Sequence, residues 1–251
     1  MTKRGQVTIF IIIGIIIVSV SGIGYYLIKN SGTDAPKSQE GEAVYNYIQK
    51  CIKDSAANSA YIFGFQQGYY SAPGKALDTP DTSVAYFYYL GKNIVPSNSF
   101  FEEQFSKIMQ EEILFECTDF SDFENIGYSI SYGSPKVDVS INEKSADMKI
   151  DFPITINGNN TESFSKFEYS LPFRIGHIID VSRNLVEELV KNPSSIDLTL
   201  LLNQDVKVSV VDYDKCNQIY VINDEKSKFS NEDSDYAFSF GALFSGENCD
   251  G

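Results

Sequence analysis

KVDVSINEKSADMKIDFPITIN, residues 136–157, is the stretch whose reading sets the fold class. Val137, Val139 and Ile141 alternate with Asp138 and Ser140, so one set of side chains faces a core and the other faces water. The same period of two recurs from Tyr128 onward in YSISYG, SFSKFEYSLPFRI, VKVSVVDYD, IYVIND and YAFSFGALF. Residues 128–251 therefore read as a β-rich half, with short strands separated by turn signals. That pattern predicts an antiparallel sandwich, interrupted by one helix over Ile178 to Lys191 that Asn192-Pro193 ends.

Toward the N-terminus the period changes. Val44, Tyr47, Ile48, Cys51, Ile52 and Ser55 follow the spacing of an amphipathic helix that runs to about Phe63, where FGFQQGYYSAPG turns the chain. Val84 to Leu90 reads as a buried strand. Pro96-Ser97-Asn98-Ser99 caps a second helix over Phe100 to Glu116, with Glu102 and Glu103 expected in its first turn. Residues 43–127 are thus the helix-rich part. The fold class expected is α+β: a transmembrane helix, then a helix pair packed with a largely antiparallel, sandwich-like β domain, without internal repeats.

Val7 to Ile28 contains no charged residue. As a helix it is about 33 Å long, against a hydrocarbon core of about 30 Å. A cleaved export signal has a shorter apolar run, so residues 6–28 are expected to stay as a membrane anchor, touching lipid through residues 7–28. Lys3 and Arg4 place the N-terminus in the cytoplasm, and Tyr25 and Tyr26 suit an interfacial belt. Residues 29–251 then lie outside the cytoplasm, beginning with a polar stretch at 29–42 that reads as a flexible stalk.

Arg4-Gly5-Gln6-Val7, directly ahead of that apolar run, resembles the class III leader of archaeal type IV pilins and archaellins. The resemblance covers residues 3–28 and implies a cytoplasmic leader, 1–5, cleaved between Gly5 and Gln6 with the apolar helix retained. Many members carry a Glu five residues into the mature protein, where this chain has Phe10, so the resemblance bears on processing more than on filament assembly. The pattern of Cys51, YIFGFQQGYY, Cys117 and LPFRIGHI resembles a family of membrane-anchored proteins from small-genome archaea with no assigned activity; it implies location and architecture alone.

Formal net charge is −14, and all 34 acidic residues follow residue 28. Such a surface repels polyanions, so nucleic acid is not an expected partner. The partner expected is a protein of the cell envelope, or other copies of the chain. Cys51 on the first helix and Cys117 at the end of the second are placed to bridge; Cys216 and Cys249 would tie down the C-terminal tail. Free thiols or a four-Cys metal cage are the alternatives.

The sequence offers few catalytic motifs. The single histidine, His177, lies ahead of a helix and suits capping or packing, and no Walker loop or nucleophile elbow is present. Ser163 and Lys166 have SxxK spacing but lack companion motifs. Asp224, Glu225, Asp233 and Asp235 form an acidic stretch that reads as a solvated hairpin loop, with calcium ligation as the sharper alternative. Asn159 begins a glycosylation sequon in a turn. No catalytic residue and no cofactor is assigned. The expected role is structural or interactive, on a single-pass anchor; the rivals are a pilin-like subunit processed after Gly5 and an anchored hydrolase using carboxylates.

Overall fold

The computed structural model describes residues 38–80, 82–158, 160–193, 205–229 and 234–245. The leader and apolar segment, including Arg4, Gly5 and Gln6, lie outside these residues, as do Asn159, Asp233 and Cys249. No helix among the described residues is long and apolar enough to cross a membrane.

Helix α1 spans Gln39–Phe65, and Ser38 caps it by accepting a hydrogen bond from the Gly41 N–H. The helix thus starts inside the stretch expected as stalk, with Glu40 and Glu42 in its first turn, where the helix dipole favours acids. Val44, Ile48, Ile52, Ala56, Ala60 and Phe63 form its buried stripe. At its end the Gly68 N–H reaches the Phe63 carbonyl at 2.7 Å and the Gln67 N–H reaches that of Gly64 at 3.2 Å, a Schellman cap. Gln67 takes the left-handed conformation (φ 54°) there, because its buried amide is needed: Oε1 accepts from the Ala85 N–H of the next strand and Nε2 donates to the Phe65 carbonyl.

After β1 (Ala76–Asp78), β2 (Ser83–Tyr89) and β3 (Lys92–Asn93) comes α2, Asn98–Glu116, capped by Ser97. Because α2 starts at Asn98, Glu102 and Glu103 fall beyond the first turn in which they were expected. Glu102 instead accepts the Ile141 N–H at 3.0 Å, and Glu103 pairs with Lys107 one turn on. A single-turn helix α3 (Ser121–Glu124) follows, then β4 (Ser129–Tyr132), β5 (Lys136–Ile141), β6 (Ala146–Asn157), β7 (Thr161–Leu171), α4 (Ile175–Lys191), β8 (Lys207–Asp212), β9 (Asn217–Lys228) and β10 (Asp235–Leu243).

The chain is α+β, but its strands divide into two sheets arranged around the helices. The six-stranded sheet has the order β1-β2-β10-β9-β8, with β3 also on β2. The pairing of β2 with β10 is parallel, an exception to the antiparallel pattern expected. Both faces of β2 are buried, which suits its unbroken run Val84-Ala85-Tyr86-Phe87-Tyr88. In the four-stranded sheet β6 is central: β7 runs along one edge, and β5 and then β4 share the other. Pro153 explains that division. It cannot donate to a ladder, the β6–β7 register shifts between Asp151 and Ile154, and the partner of β6 changes from β5 to β4 at the same point.

Helix α1 touches both sheets, through β7 and β10, while α2 lies on β5 and α4 on β2 and β3. Tyr45 near the start of α1 stacks on Phe167 (5.0 Å), and Phe63 near its end meets Phe105 of α2 (5.1 Å) and Phe238 of β10 (6.3 Å). The sandwich expected from the strand pattern is thus replaced by two sheets that each bury a face on helices, because three amphipathic helices compete for those faces. Cys51 and Cys117 are joined in a disulfide across the antiparallel α1–α2 pair, 66 residues apart in sequence. Replacing both cysteines by Ala should lower unfolding stability by about 2–4 kcal/mol through the longer loop freed in the unfolded chain. Urea titration of the variant measures it, and reductant should then shift the wild type by more than the variant, which keeps the disulfide at Cys216.

Candidate functional site

Arg174, between β7 and α4, is the centre of the one buried charge network that unites several elements among the described residues. Its Nε donates to Asp224 Oδ2 at 3.0 Å, a terminal nitrogen donates to Asp224 Oδ1, and the other terminal nitrogen meets Asp205 Oδ2 at 2.8 Å. Ser227 completes the node: its hydroxyl accepts from the Arg174 backbone N–H (2.9 Å) and donates to Asp224 Oδ2 (2.6 Å). The Lys226 N–H supplies a further donor to Asp224, and Lys226 Nζ pairs with Asp205. The Asp224 side chain has 0% exposure, so an ionised carboxylate survives there only because several donors surround it. Burial pushes its pKa up, and the hydrogen bonds from Arg174, Ser227 and Lys226 outweigh that, holding it below the ordinary carboxylate range.

This geometry corrects the acidic-loop reading. Asp224 is a core residue of β9 bound to an arginine, Glu225 is exposed on the same strand, and Asp235 opens β10, 3.7 Å from Lys228. No cluster of three or more metal-ligating side chains occurs among the described residues. Sequence reasoning missed Arg174 as a structural centre, although signals existed. LPFRIGHI sets one cation inside an apolar run, and in IYVIND the period of two puts Asp224 in phase with buried Tyr220 and Ile222.

The remaining candidates are dispersed. His177 sits in the first turn of α4, half-buried, with its Nε2 enclosed and without a hydrogen-bond partner; α4 has no side-chain cap, so His177 packs rather than caps. Ser163 hydrogen-bonds Thr155 at 2.9 Å while Lys166 pairs with Asp151 at 2.7 Å, which separates the SxxK residues chemically. Cys216 is disulfide-bonded. An open cleft of about 870 Å³ lies between the end of α4 and the β8–β9 turn, with Tyr88, Asp212, Asp214 and Gln218 on its walls. Asp214 is held below its ordinary range by the Cys216 and Asn217 N–H groups and the Asn217 amide, and Asp212 accepts from Gln218, so both acids serve their own hairpin. Among the described carboxylates the resolved shifts all run downward, opposite to what a general acid requires.

One further surface is ordered by register. Across β5, β6 and β7 the outward side chains line up as Lys136, Asp151 and Lys166, then Asp138, Lys149 and Glu168. Cations and anions alternate along and across the strands, so each charge has opposite neighbours on its own face.

Arg174→Ala should destabilise the protein by about 3–5 kcal/mol, because it strands a buried carboxylate, and Arg174→Lys should recover little since a lysine lacks the planar fork. Denaturant titrations measure both. A depressed folded-state pKa stabilises above the unfolded value of about 3.9 and is lost as pH falls through the folded value. The decline of wild-type stability below about pH 4 should therefore be shallower in Asp224→Asn.

No protein-family model matches the chain, and neither a curated protein nor a solved structure does.

Proposed function

We propose that the chain is a single-pass membrane protein, N-terminus in the cytoplasm, whose α+β domain stands outside the cell membrane and serves the envelope by structural or interactive contacts rather than by catalysis. The observation that carries this reading is the Cys51–Cys117 disulfide across the helix pair, since such bridges persist in oxidising compartments. The uncharged stretch Val7 to Ile28 precedes it as a transmembrane helix, and the charge asymmetry of Lys3 and Arg4 sets the orientation. Ser38, which caps α1, follows soon after Ile28 and keeps the domain close to the bilayer.

The pilin-like alternative is favoured by one feature: the first helix after the apolar stretch is long and lies along an antiparallel sheet, through Tyr45 on Phe164 and Phe167. In that reading the leader is removed after Gly5, Gln6 becomes the N-terminus, and the chains assemble. Glycan addition at Asn159 fits either reading, since both put that turn outside.

Mass spectrometry of the protein from membranes separates the two. An intact Met1 or Thr2 start supports the simple anchor, and a Gln6 start supports leader processing. Protease added to sealed cells should remove the domain from residue 38 onward in both cases; full protection would overturn the orientation.

A further inference from the structure

The outer face of the four-stranded sheet carries a charge pattern that is complementary to itself across β5, β6 and β7 together in one orientation only. Two rows decide this: Lys136, Asp151, Lys166 and, one step along the strands, Asp138, Lys149, Glu168. Five of the six residues are exposed and Asp151 is partly so, with Lys166 and Asp151 paired at 2.7 Å.

Consider two copies placed face to face. With the two-fold axis perpendicular to the strands and between the rows, each row meets the other row of its partner. Lys136 then faces Asp138, Asp151 faces Lys149, and Lys166 faces Glu168, each twice. With the axis along β6, each row meets itself reversed: Lys136 faces Lys166, Asp138 faces Glu168, and Asp151 and Lys149 face their own copies. Like charges then oppose at every position; moving that axis to lie between two strands sets opposite charges together, but over two strands and four contacts in place of three strands and six.

The strand direction gives this geometry a meaning. Helix α1 runs alongside β7 in the same sense, since Ser38 bonds Glu162 at 2.5 Å, Tyr45 contacts Phe164 and Phe167, and Asp54 lies close enough to Tyr169 to raise its pKa after burial. An axis perpendicular to the strands therefore reverses the two N-termini, and an axis along them keeps the N-termini side by side. We infer that this face binds a second copy of the chain in the antiparallel orientation. Combined with the anchored reading above, on which this step rests, the contact joins copies on opposed membranes in preference to neighbours on the same one, because only the antiparallel pairing engages all three strands. The patch spans about three strands at about 4.8 Å spacing, so a single contact is weak, and many copies on two surfaces act together.

The test uses the full chain reconstituted into phosphatidylcholine vesicles. Wild-type vesicles should cluster at about 0.1 M salt, where a screening length of about 10 Å mutes the net negative charge of the two domains but spares charges in contact, and disperse at about 1 M, where it is about 3 Å; light scattering reads both. Lys149→Glu vesicles alone and Asp151→Lys vesicles alone should scatter at least about fivefold less, since like charges then meet across the contact. Mixing the two variants should restore clustering. The carboxylate introduced at position 149 of one copy then faces the ammonium introduced at position 151 of the other, and the unaltered Asp151 and Lys149 still face each other. Should either variant fold poorly by circular dichroism, the exchange on β7, Lys166→Glu against Glu168→Lys, repeats the logic. Wild-type vesicles that stay dispersed, single variants that cluster normally, or a mixture that fails to cluster overturn the proposal. Flotation reports anchoring separately: a chain that does not float sinks the membrane reading, and sedimentation of the same variants in detergent then tests the pairing, with dimers lost in each variant and regained in the mixture.

Discussion

Everything else in the domain depends on how closely helix α1 approaches the sheets. At Gly64 a Cβ would sit 2.3 Å from the Ala237 carbonyl oxygen of β10 and 3.1 Å from the Tyr236 ring. No side chain fits there, so the end of the helix rests directly on the strand. Ala56, Ser59 and Ala60 continue a ridge of small buried residues, and the large ones, Phe63 and Ile52, fill the gaps on either side. The other end of α1 presses Tyr45 onto Phe164 and Phe167 of the second sheet. One helix of about 40 Å is thus a shared wall for two sheets, the second of which alternates buried and wet residues and has a single core face. The disulfide at Cys51 fixes the middle of that wall to α2.

Charge is handled by two opposite rules. Asp224 is buried, and its stability as an anion requires Arg174, Ser227 and a backbone N–H in fixed positions, so the node ties β7, α4, β9 and Asp205 into one unit. Removing a single member leaves the others uncompensated. On the outer sheet face the charges remain in water, where individual pairs contribute little and the arrangement matters only collectively. The first kind of charge fixes the fold, whereas the second leaves it indifferent and therefore leaves a surface free to carry recognition.

What was legible in the sequence follows from periodicity. KVDVSIN announced its strand because each side chain reports its own environment, and the Cys51–Cys117 bridge was readable because both residues sit at definite places on predicted helices. Partition of the strands into two sheets was not readable: which strands pair is a property of long-range contacts, and β2 finds β10 in parallel across most of the domain's length, through segments of unrelated local pattern. The helix starts at Ser38 and Ser97 were misplaced by a few residues because a serine cap competes with its polar neighbours for the same role. Asp224 was misread for a different reason. It opens an acidic stretch that continues through Glu225, Asp233 and Asp235, so local composition pointed to a loop, and only the strand phase set it apart.

The direction of α1 constrains any role of the domain more than its cavities do. The chain enters at Ser38, beside Glu162 at the β6–β7 hairpin, and the strands of the smaller sheet run along the helix away from that point. Under the anchored reading proposed above, the hairpin end would face the bilayer and the outer sheet face would lie to the side. The open cleft at the β8–β9 turn has Asp212 and Asp214 engaged within their own hairpin. By contrast the lateral face has charge held in a fixed register. Its rows are ordered by the same β5–β6–β7 pairing that buries Val137, Ile150 and Phe167 on the opposite side, so the pattern cannot slip without exposing the core. Core packing on one side of the sheet thereby holds the register of a recognition surface on the other.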